Sequence, residues 1–529
     1  MHYEVSYRPA AASAIADLSI GDLLRRAARE APNELALVEG AEDQEKRRRW
    51  SNAQLAEEAE LGARALSQLF QAKERVAILA PSVPEWTLAQ MSAALAGLIL
   101  VTINPALRPR EIRYILDQSE CSGVIVADSY RDQDLCSIVE AERSRLPSIR
   151  HVIRLADWTS FMHSSKSGQQ LPDVRPTDPA MIQYTSGTTG APKGAMLTHA
   201  GIVNAAHFLS ERLERIAGDI WLNPLPMFHT GGCVMGTIGS LSSLGTQVIV
   251  GNFDPTLVLR LVGEERPTYF LAVPTMMLAL LEHPDFGKFD LSSLQVVSSG
   301  GSTVAPVLVR RIEEAFGATF NMSYGQTESS SVISMTPLQA TDEQKAETLG
   351  LPLSHWEFMI ADEDGKPAPV GSHGEICCRG IGTMSGYYNM PEATAEAIDG
   401  EGWLHTGDLG VMDEQGYTRL VGRTKDMIIR GGENIFPREI EDILVTHPAV
   451  LEAAVVGVSD ERWGEVPVAF IRPSATDPLD ERDLTFFLRE RLAPFKIPRT
   501  FVAVEAFPTN AVGKIQKFIL REQHEAKLK

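Results

Sequence analysis

Cysteine is scarce in this sequence of 529 residues. The five cysteines are Cys121, Cys136, Cys233, Cys377 and Cys378. Their number is odd, their spacing is irregular and no Cys-x-x-Cys pair occurs, so neither a disulfide framework nor a zinc site is expected. Free thiols are typical of the reducing cytoplasm, where disulfides are rare. The cysteine content therefore favours a cytoplasmic location.

Long hydrophobic runs and an excess of positive charge are also absent. The longest apolar run, MSAALAGLILVTI at residues 91–103, is too short to span a bilayer and predicts a buried helix leading into a strand. The opening MHYEVSYRPAAASAIADL lacks the basic head and apolar core of a signal peptide. The formal net charge of −20 argues against nucleic acid or an anionic membrane surface as the main partner. Small-molecule partners are compatible with this charge, because they need only a local site.

The sequence does contain a regular alternation of apolar runs and amphipathic stretches. Buried strands are predicted at RVAILAP (75–81), GVIVAD (123–128), TQVIVG (246–251), TYFLAV (268–273) and LQVVSSGG (294–301). Helical patterns lie between these runs, as in PEWTLAQMSAALAG from Pro84 onwards. The alternation predicts the α/β class, with parallel-rich sheets and packed helices.

The pattern changes beyond about residue 400, where Gly, Asp and Arg become frequent and short strands joined by tight turns are predicted. A helix follows in FPREIEDIL, with Pro437 at its first turn and Ile440, Ile443 and Leu444 on one face. We therefore predict a large N-terminal domain at residues 1–422, a hinge at 423–426 and a small, mobile α+β domain at 427–529.

The first segment that indicates a binding site is YTSGTTGAPKG at residues 184–194. Its glycines allow backbone N–H groups to converge, and its hydroxyl groups add donors, so the loop can cradle an anion. Lys193 supplies a full positive charge for a phosphate group. The common P-loop is excluded, because Lys193 is followed by Gly194 rather than Ser or Thr. The predicted phosphate-binding residues are Thr185, Ser186, Gly187, Thr188, Thr189, Gly190 and Lys193.

This loop resembles the phosphate-binding signature of the adenylate-forming (AMP-binding) superfamily, which includes acyl-CoA synthetases, aryl-CoA ligases, adenylation domains and firefly luciferase. Five further segments resemble that family and occur in its order. They are LPMFHTGG (225–232), YGQTESS (324–330), GWLHTGDLG (402–410), GRTKDMIIRGGENIFPREIE (422–441) and FPTNAVGKIQK (507–517). A solvated turn would explain any one of them, but not all six in this order.

The resemblance assigns roles to residues of the N-terminal segments. His229 would lie near the substrate carboxylate, and the ring of Tyr324, which offers a flat face, would stack on adenine. Thr327 would contact phosphate, and Glu328 would offer Mg²⁺ a hard oxygen ligand. The set expected around the nucleotide is completed by Gly301, Ser302 and Gly325.

Further roles follow for the C-terminal segments. Asp408 would accept both ribose hydroxyls, and Arg423 would contact ribose or phosphate. Lys425 occupies the hinge position of the family. Gly431 and Gly432 would flank the pantetheine tunnel of CoA, and Lys514 would be the catalytic lysine.

The resemblance implies an AMP-forming acyl-CoA ligase of the acid–thiol ligase class. It would convert a carboxylic acid, ATP and CoA to acyl-CoA, AMP and pyrophosphate through an acyl-adenylate, with Mg²⁺. Small and apolar pocket residues suit a medium-chain fatty acid or an aryl acid, and the motifs look most like the medium-chain branch. The alternatives are another acid–CoA ligase, an enzyme that loads a separate carrier protein, a luciferase-like oxidase and a nucleotide-binding protein without catalysis. The sequence is compatible with a homodimer and does not determine the oligomeric state.

Overall fold

The computed structural model describes residues 3–165, 169–185, 192–300, 304, 306–474, 479–509 and 514–528. Within these ranges the chain forms an α/β fold with four larger β-sheets. A short hairpin of Ser129–Tyr130 and Gln133–Asp134 stands apart from them. The predicted class is therefore confirmed.

The first large sheet has nine strands, and its centre is parallel. The order across it is Leu351–Pro352, Ser334–Met335, Thr319–Tyr324, Val296–Gly300, Tyr269–Leu271, Ile220–Asn223, Thr246–Ile249, Leu35–Glu39 and Arg49–Ser51. Three of the predicted apolar runs form parallel strands here.

The second sheet has seven strands, and parallel pairing again dominates its centre. The order is Gly386–Tyr387, Lys193–Thr198, Pro179–Thr185, Ile99–Ile103, Arg75–Leu79, Gly123–Val126 and His151–Arg154. The strands that flank the predicted phosphate loop, Pro179–Thr185 and Lys193–Thr198, pair antiparallel. The loop thus connects two adjacent strands of one sheet.

Helices fill the space between the two parallel-rich sheets. One apolar core joins helix residues such as Leu24, Leu66 and Trp86 to Ile78 of the seven-stranded sheet and Tyr269 of the nine-stranded sheet. Separate apolar clusters cover the other face of each sheet. Burial on both faces explains why these strands are continuous apolar runs in the sequence.

Many helices begin at residues that suit a helix start. Ser19 and Ser51 each accept a hydrogen bond from the third residue of the helix that follows, which satisfies a backbone N–H left without a helical partner. The α-helices of the N-terminal part are Ile20–Glu30, Asn52–Leu69, Pro84–Leu95, Pro109–Gln118, Leu135–Arg143, Trp158–His163, His199–Arg212, Gly239–Ser242, Pro255–Glu265, Pro274–Leu281, Pro306–Phe316, Asp342–Glu347 and Pro391–Ala397. A π-helix spans Gly231–Ile238.

The third sheet is antiparallel and has five strands. The order is Tyr7–Arg8, Trp356–Ala361, His373–Gly380, Leu404–Met412 and Thr418–Arg423. Its edge strand comes from the start of the chain and pairs with a strand some 350 residues later. Two of its strands carry the predicted site residues Asp408 and Arg423.

The fourth sheet contains only strands that follow residue 427. These are Glu433–Ile435, Ile428–Arg430, Gly464–Pro473, Val450–Asp460 and Thr500–Ala503, and they pack with helices Pro437–Leu444, Glu481–Arg489 and Lys517–Leu528. Contacts of this C-terminal unit with earlier residues include a stack of Phe436 on His373 and an ion pair of Arg472 with Glu282 at 3.6 Å. The predicted helix at Pro437 and the small α+β unit are present.

No helix among the described residues is long and apolar enough to cross a membrane. The run at residues 91–103 instead divides between helix Pro84–Leu95 and strand Ile99–Ile103, as predicted. All five cysteines are free.

Candidate active site

Asp408 lies where the antiparallel sheet meets the end of strand Thr319–Tyr324. Its side chain is buried, and Oδ2 accepts a hydrogen bond of 2.8 Å from the Tyr324 hydroxyl. Its neighbour across the ladder is Arg423, whose Nε lies 2.9 Å from Oδ1. Parallel strands present ligand sites at their carboxyl ends, where Tyr324 stands.

The Oδ1 atom of Asp408 is buried, and its partner among the described residues is the Arg423 guanidinium, with Nε 2.9 Å away. A carboxylate oxygen has two lone pairs, so Oδ1 keeps the capacity to accept a hydrogen bond from a ligand. A ribose hydroxyl is a donor of the required kind. The geometry therefore supports the role predicted for Asp408.

Lys514, from the C-terminal part of the chain, reaches the same place. Its pKa is lowered to about 8, chiefly by burial; the positive charges of Arg423 and Lys425 contribute to this lowering, while Asp408 and Asp426 oppose it. The Lys514 ammonium group therefore lies within electrostatic reach of the Asp408–Arg423 pair. The structure thus brings together three predicted site residues that are separated by up to 106 positions in the sequence.

His229 also lies within electrostatic reach of Lys514. Burial lowers the pKa of its imidazole to about 4, and the charge of Lys514 contributes to the shift. Its Nδ1 accepts a hydrogen bond from the Gly231 backbone N–H at 3.1 Å, which leaves the proton of the neutral ring on Nε2. A neutral donor at the start of the π-helix can approach a carboxylate without adding a charge.

Glu328 and Lys193 form a second group, joined by a residue that sequence reasoning missed. The Tyr387 hydroxyl donates a hydrogen bond of 2.7 Å to Glu328 Oε1, and Lys193 Nζ lies 5.1 Å from the centre of the Tyr387 ring. Tyr387 reaches this position because its short strand pairs with Lys193–Thr198. Tyr387 and Tyr388 are adjacent, and nothing in the sequence around them indicates which of the two faces the site.

Glu328 has the chemistry that a magnesium ion requires. One carboxylate oxygen is held by Tyr387, while the other has no hydrogen-bond donor within the described parts of the chain. The side chain is partly exposed. Magnesium binds one or two carboxylates together with substrate phosphates and water, so this single oriented carboxylate fits.

Gly325 and Thr327 shape the turn that carries Glu328. A Cβ atom at Gly325 would lie 2.0 Å from the carbonyl oxygen of Ser331, so a larger residue cannot fit. Thr327 is buried at the start of a short 3₁₀ helix, Thr327–Ser329.

Only the two ends of the predicted phosphate loop are among the described residues. There, Thr185 Oγ1 lies 3.5 Å from the Lys193 carbonyl oxygen. Ser186, Gly187, Thr188, Thr189, Gly190, Gly301 and Ser302 lie outside the described residues.

Gly431 and Gly432 are not part of this group of side chains. They form the turn between strands Ile428–Arg430 and Glu433–Ile435, where both have the positive φ that favours glycine. The turn packs on Trp463, and the Gly431 N–H donates to the Trp463 carbonyl oxygen at 2.8 Å. Gly432 is exposed.

Family models match most of the chain. The model described as AMP-binding enzyme matches residues 24–388, and the model of the AMP-binding enzyme C-terminal domain matches residues 439–514. The chain therefore belongs to the AMP-binding enzyme family. Within this adenylate-forming superfamily it falls in the acyl-CoA synthetase branch, as its relatives indicate.

Three similar proteins illustrate this placement. A putative acyl-CoA synthetase, YngI of Bacillus subtilis, is 38% identical over 85% of this chain and 87% of its own. Human ACSF2, named a mitochondrial medium-chain acyl-CoA ligase, is 36% identical over 96% of this chain and 88% of its own. The anthranilate CoA ligase AuaEII, solved with anthranoyl-AMP, superposes with a TM-score of 0.88 and 28% identity, over 96% of this chain and 97% of AuaEII.

Proposed function

We propose that this protein is an AMP-forming acyl-CoA ligase that activates a medium-chain fatty acid with ATP and transfers the acyl group to CoA. The observation that carries the proposal is the meeting of Lys514 with Asp408 and Arg423 beside a neutral His229. Family membership and the names of the relatives support the same reaction.

In the first half-reaction a substrate carboxylate oxygen attacks the α-phosphorus of ATP, the bond to the β-phosphate oxygen breaks, and pyrophosphate leaves. Both reactants are anionic, so alignment and charge neutralisation are the main requirements. Lys514 bridges carboxylate and α-phosphate, while Asp408 fixes the ribose and Lys193 the departing phosphates. Glu328 would hold Mg²⁺, which would supply positive charge to neutralise the departing pyrophosphate.

In the second half-reaction the CoA thiol attacks the acyl carbonyl, its proton is lost, and AMP leaves. No enzyme nucleophile is needed. The Gly431–Gly432 turn packs on Trp463, and a Cβ at Gly432 would meet no described atom within 4 Å, so we propose that the C-terminal domain rotates to bring this turn beside the thiol. We assign residues 1–422 to the N-terminal domain and residues 427–529 to the mobile C-terminal domain, with the hinge at 423–426. A 3₁₀ turn at Thr424–Asp426 lies in this hinge, between the third and fourth sheets.

The substrate assignment rests on relatives and on pocket chemistry. ACSF2 is named for medium-chain acids, and the pocket segment after His229 carries no charged side chain between Thr230 and Ile238. The glycines of that segment allow close packing on Leu225 and Pro226, since a Cβ at Gly232 would lie 2.3 Å from the Pro226 carbonyl oxygen. AuaEII, which binds an aryl adenylate, supports an aryl acid as the second candidate. An acceptor thiol on a separate carrier protein is the remaining alternative.

The test is pyrophosphate release from ATP and Mg²⁺ with acids from acetate through C4–C16 chains to benzoate and cinnamate, with and without CoA. We expect CoA-dependent turnover with a maximum at about C6–C12. A maximum with an aryl acid would overturn the fatty-acid assignment. Pyrophosphate release that CoA does not stimulate would point to a carrier protein, and no release with any acid would refute the reaction.

We further propose a cytoplasmic enzyme that works with small molecules alone. The five free cysteines support a reducing compartment, although the ACSF2 relatives are named mitochondrial. Fractionation of the source cells with an antibody against the chain would test the location. Light scattering of the purified protein would decide between a monomer and the homodimer.

A further inference from the structure

A second group of reactive side chains lies on the antiparallel sheet, close to Asp408 but not part of its site. Glu375 and Cys377 are two residues apart on strand His373–Gly380, and residues at that spacing face the same side of a sheet. His405, on the neighbouring strand, is the direct partner of Cys377 in the ladder. The register of two strands thus assembles three potential metal ligands that the sequence keeps apart.

The distances between these ligand atoms are close to those of a coordination sphere. His405 Nδ1 lies 2.8 Å from Glu375 Oε2 and 3.5 Å from Cys377 Sγ, and all three ligand atoms lie within 4.8 Å of one another. Zinc bonds of about 2.0–2.3 Å in a tetrahedron put neighbouring ligand atoms about 3.3–3.8 Å apart. The nitrogen–sulfur distance already matches, the nitrogen–oxygen pair must separate by about half an ångström, and the oxygen–sulfur pair lies within 4.8 Å.

The surroundings also suit a cation. The other ring nitrogen of His405, Nε2, lies 3.6 Å from Asp399 Oδ2, and that carboxylate is held by backbone N–H groups of Glu401 and Trp403. Metal-binding histidines usually present their second nitrogen to a carboxylate in this way. Within the described ranges, neither Glu375 nor Asp399 forms an ion pair with Lys or Arg. Glu375 and His405 are partly exposed, which gives an ion a way in.

We propose that Glu375, Cys377 and His405 form a Zn²⁺ site whose occupancy weakens nucleotide binding at Asp408. On binding, the Cys377 thiol releases its proton to solvent and the thiolate coordinates the ion. Neutral His405 carries its proton on Nε2, towards Asp399, instead of on Nδ1, and coordinates through Nδ1. Glu375 coordinates through Oε2, and a water molecule takes the fourth position. The sequence-based expectation of no zinc site considered only cysteine spacing, which cannot reveal ligands from two strands.

The link to the nucleotide runs through Glu375. Its Oε1 accepts the Gly407 backbone N–H at 2.9 Å, and Gly407, with a φ of +70°, shapes the bend before Asp408. When Oε2 moves away from His405 Nδ1 to make room for an ion, Oε1 of the same carboxylate moves with it, so the hydrogen bond from the Gly407 N–H lengthens and the hold on this bend weakens. Asp408 then loses its fixed position for the ribose. This consequence rests on the proposed role of Asp408, whereas metal binding itself does not.

The test uses Co²⁺ as a coloured substitute for Zn²⁺ in reduced, chelator-treated full-length protein. We expect one equivalent of Co²⁺ to give a thiolate charge-transfer band and tetrahedral visible bands, which Zn²⁺ then abolishes. Cys377→Ser should remove the charge-transfer band. Cys378→Ser is the matched control, because Cys378 packs in the main core while Cys377 packs in a small cluster with Trp403.

His405→Gln is the second variant, in case Cys377→Ser fails to fold, and it should weaken Co²⁺ binding at least tenfold. A charge-transfer band that survives in a folded Cys377→Ser protein, or no saturable band in the wild type, would overturn the site.

Calorimetry with AMP then tests the coupling between the metal site and nucleotide binding. We expect AMP affinity to fall several-fold with Zn²⁺ in the wild type only, and an unchanged affinity would overturn the coupling but not the site.

Discussion

At the scale of single residues, Asp408 and Lys514 carry the site. Asp408 is fixed on one oxygen by Tyr324 and ion-paired on the other with Arg423, which orients its carboxylate before a ligand arrives. Lys514 brings a charge from the C-terminal part of the chain to the same point. Groups that are oriented in advance lower a barrier more than mobile ones, because they need no reorganisation during the reaction.

We expect Lys514→Ala to lower acyl-adenylate formation by about 10²- to 10³-fold, the usual cost of one lost charge-stabilising donor. Thioester formation from supplied acyl-AMP and CoA should remain largely intact. Each half-reaction is followed separately, by pyrophosphate release and by acyl-CoA formation. Lys496→Ala, which removes a lysine paired with Glu439, is the control. An equal loss in both halves would show that the role assigned to Lys514 is wrong.

The pH dependence of adenylation should report the same lysine. Lys514 has a pKa lowered to about 8, so the side chain is charged below that pH and loses its charge as the pH rises through it. The value of kcat/KM for ATP, which reflects the free enzyme, should therefore fall above about pH 8. Lys514→Arg should move this fall to higher pH, because a guanidinium stays charged. An identical profile in the variant would assign the fall to another group.

Tyr387→Phe tests the residue that only the structure revealed. The change removes the hydroxyl that holds Glu328 Oε1 but keeps the ring beside Lys193. Because Glu328 is partly exposed, water replaces part of this hydrogen bond. We therefore expect Mg²⁺ binding to weaken by about 1 kcal/mol, which raises the Mg²⁺ concentration for half-maximal rate roughly fivefold. Tyr388→Phe is the matched control, since that hydroxyl bonds to Glu120 instead. Equal effects of both changes would contradict a positioning role.

At the scale of helices and strands, local pattern predicted much of the fold. The runs at residues 75–81 and 268–273 are strands because both faces are buried, and such strands need no partner information to be recognised. Pairing between strands that are far apart in the sequence could not be predicted from local pattern. Nothing in the sequence of Tyr7–Arg8, for example, indicates that it pairs with Trp356–Ala361. The π-helix at Gly231–Ile238 was likewise unpredicted, because its apolar residues have no distinct period.

The turn after strand Thr319–Tyr324 is the element whose geometry is most sharply constrained. We expect Gly325→Ala to lower the melting temperature and the affinity for ATP, because the new Cβ would lie 2.0 Å from the Ser331 carbonyl oxygen and the turn must shift. Gly287→Ala is the control, since no atom lies within 4 Å of a Cβ at that position. Thermal unfolding and calorimetry with ATP measure both effects. Wild-type values in Gly325→Ala would show that the turn adapts without cost.

At the scale of the whole molecule, motif order predicted the set of site residues but not how the two parts of the chain meet. The approach of Lys514 to the Asp408–Arg423 pair depends on the placement of the C-terminal unit, which no local pattern encodes. The same limit applies to Glu375, Cys377 and His405, which approach one another only through strand register.

The proposed rotation can be tested with a disulfide across the hinge. A Cβ built at Gly422 lies 3.8 Å from the Cβ of Phe436, a separation typical of disulfides. The oxidised double variant Gly422→Cys, Phe436→Cys should still form acyl-AMP but should lose most thioester formation, and a reducing agent should restore it. The single variants, oxidised in the same way, are the controls. Full thioester synthesis by the oxidised double variant would show that no rotation is needed.

Arg423, Lys425 and Lys514 share the electrostatic surroundings of Asp408 and Asp426, which has a consequence for the order of events. Three cations outnumber two carboxylates there, and the repulsion among the cations contributes to the lowered pKa of Lys514. We expect the phosphates of ATP to act as the counter-ion that draws Lys514 inward. Once pyrophosphate has left, that attraction should weaken while the repulsion remains. The arrival of the nucleotide should therefore close the site, and its breakdown should favour the recoil that the second half-reaction requires.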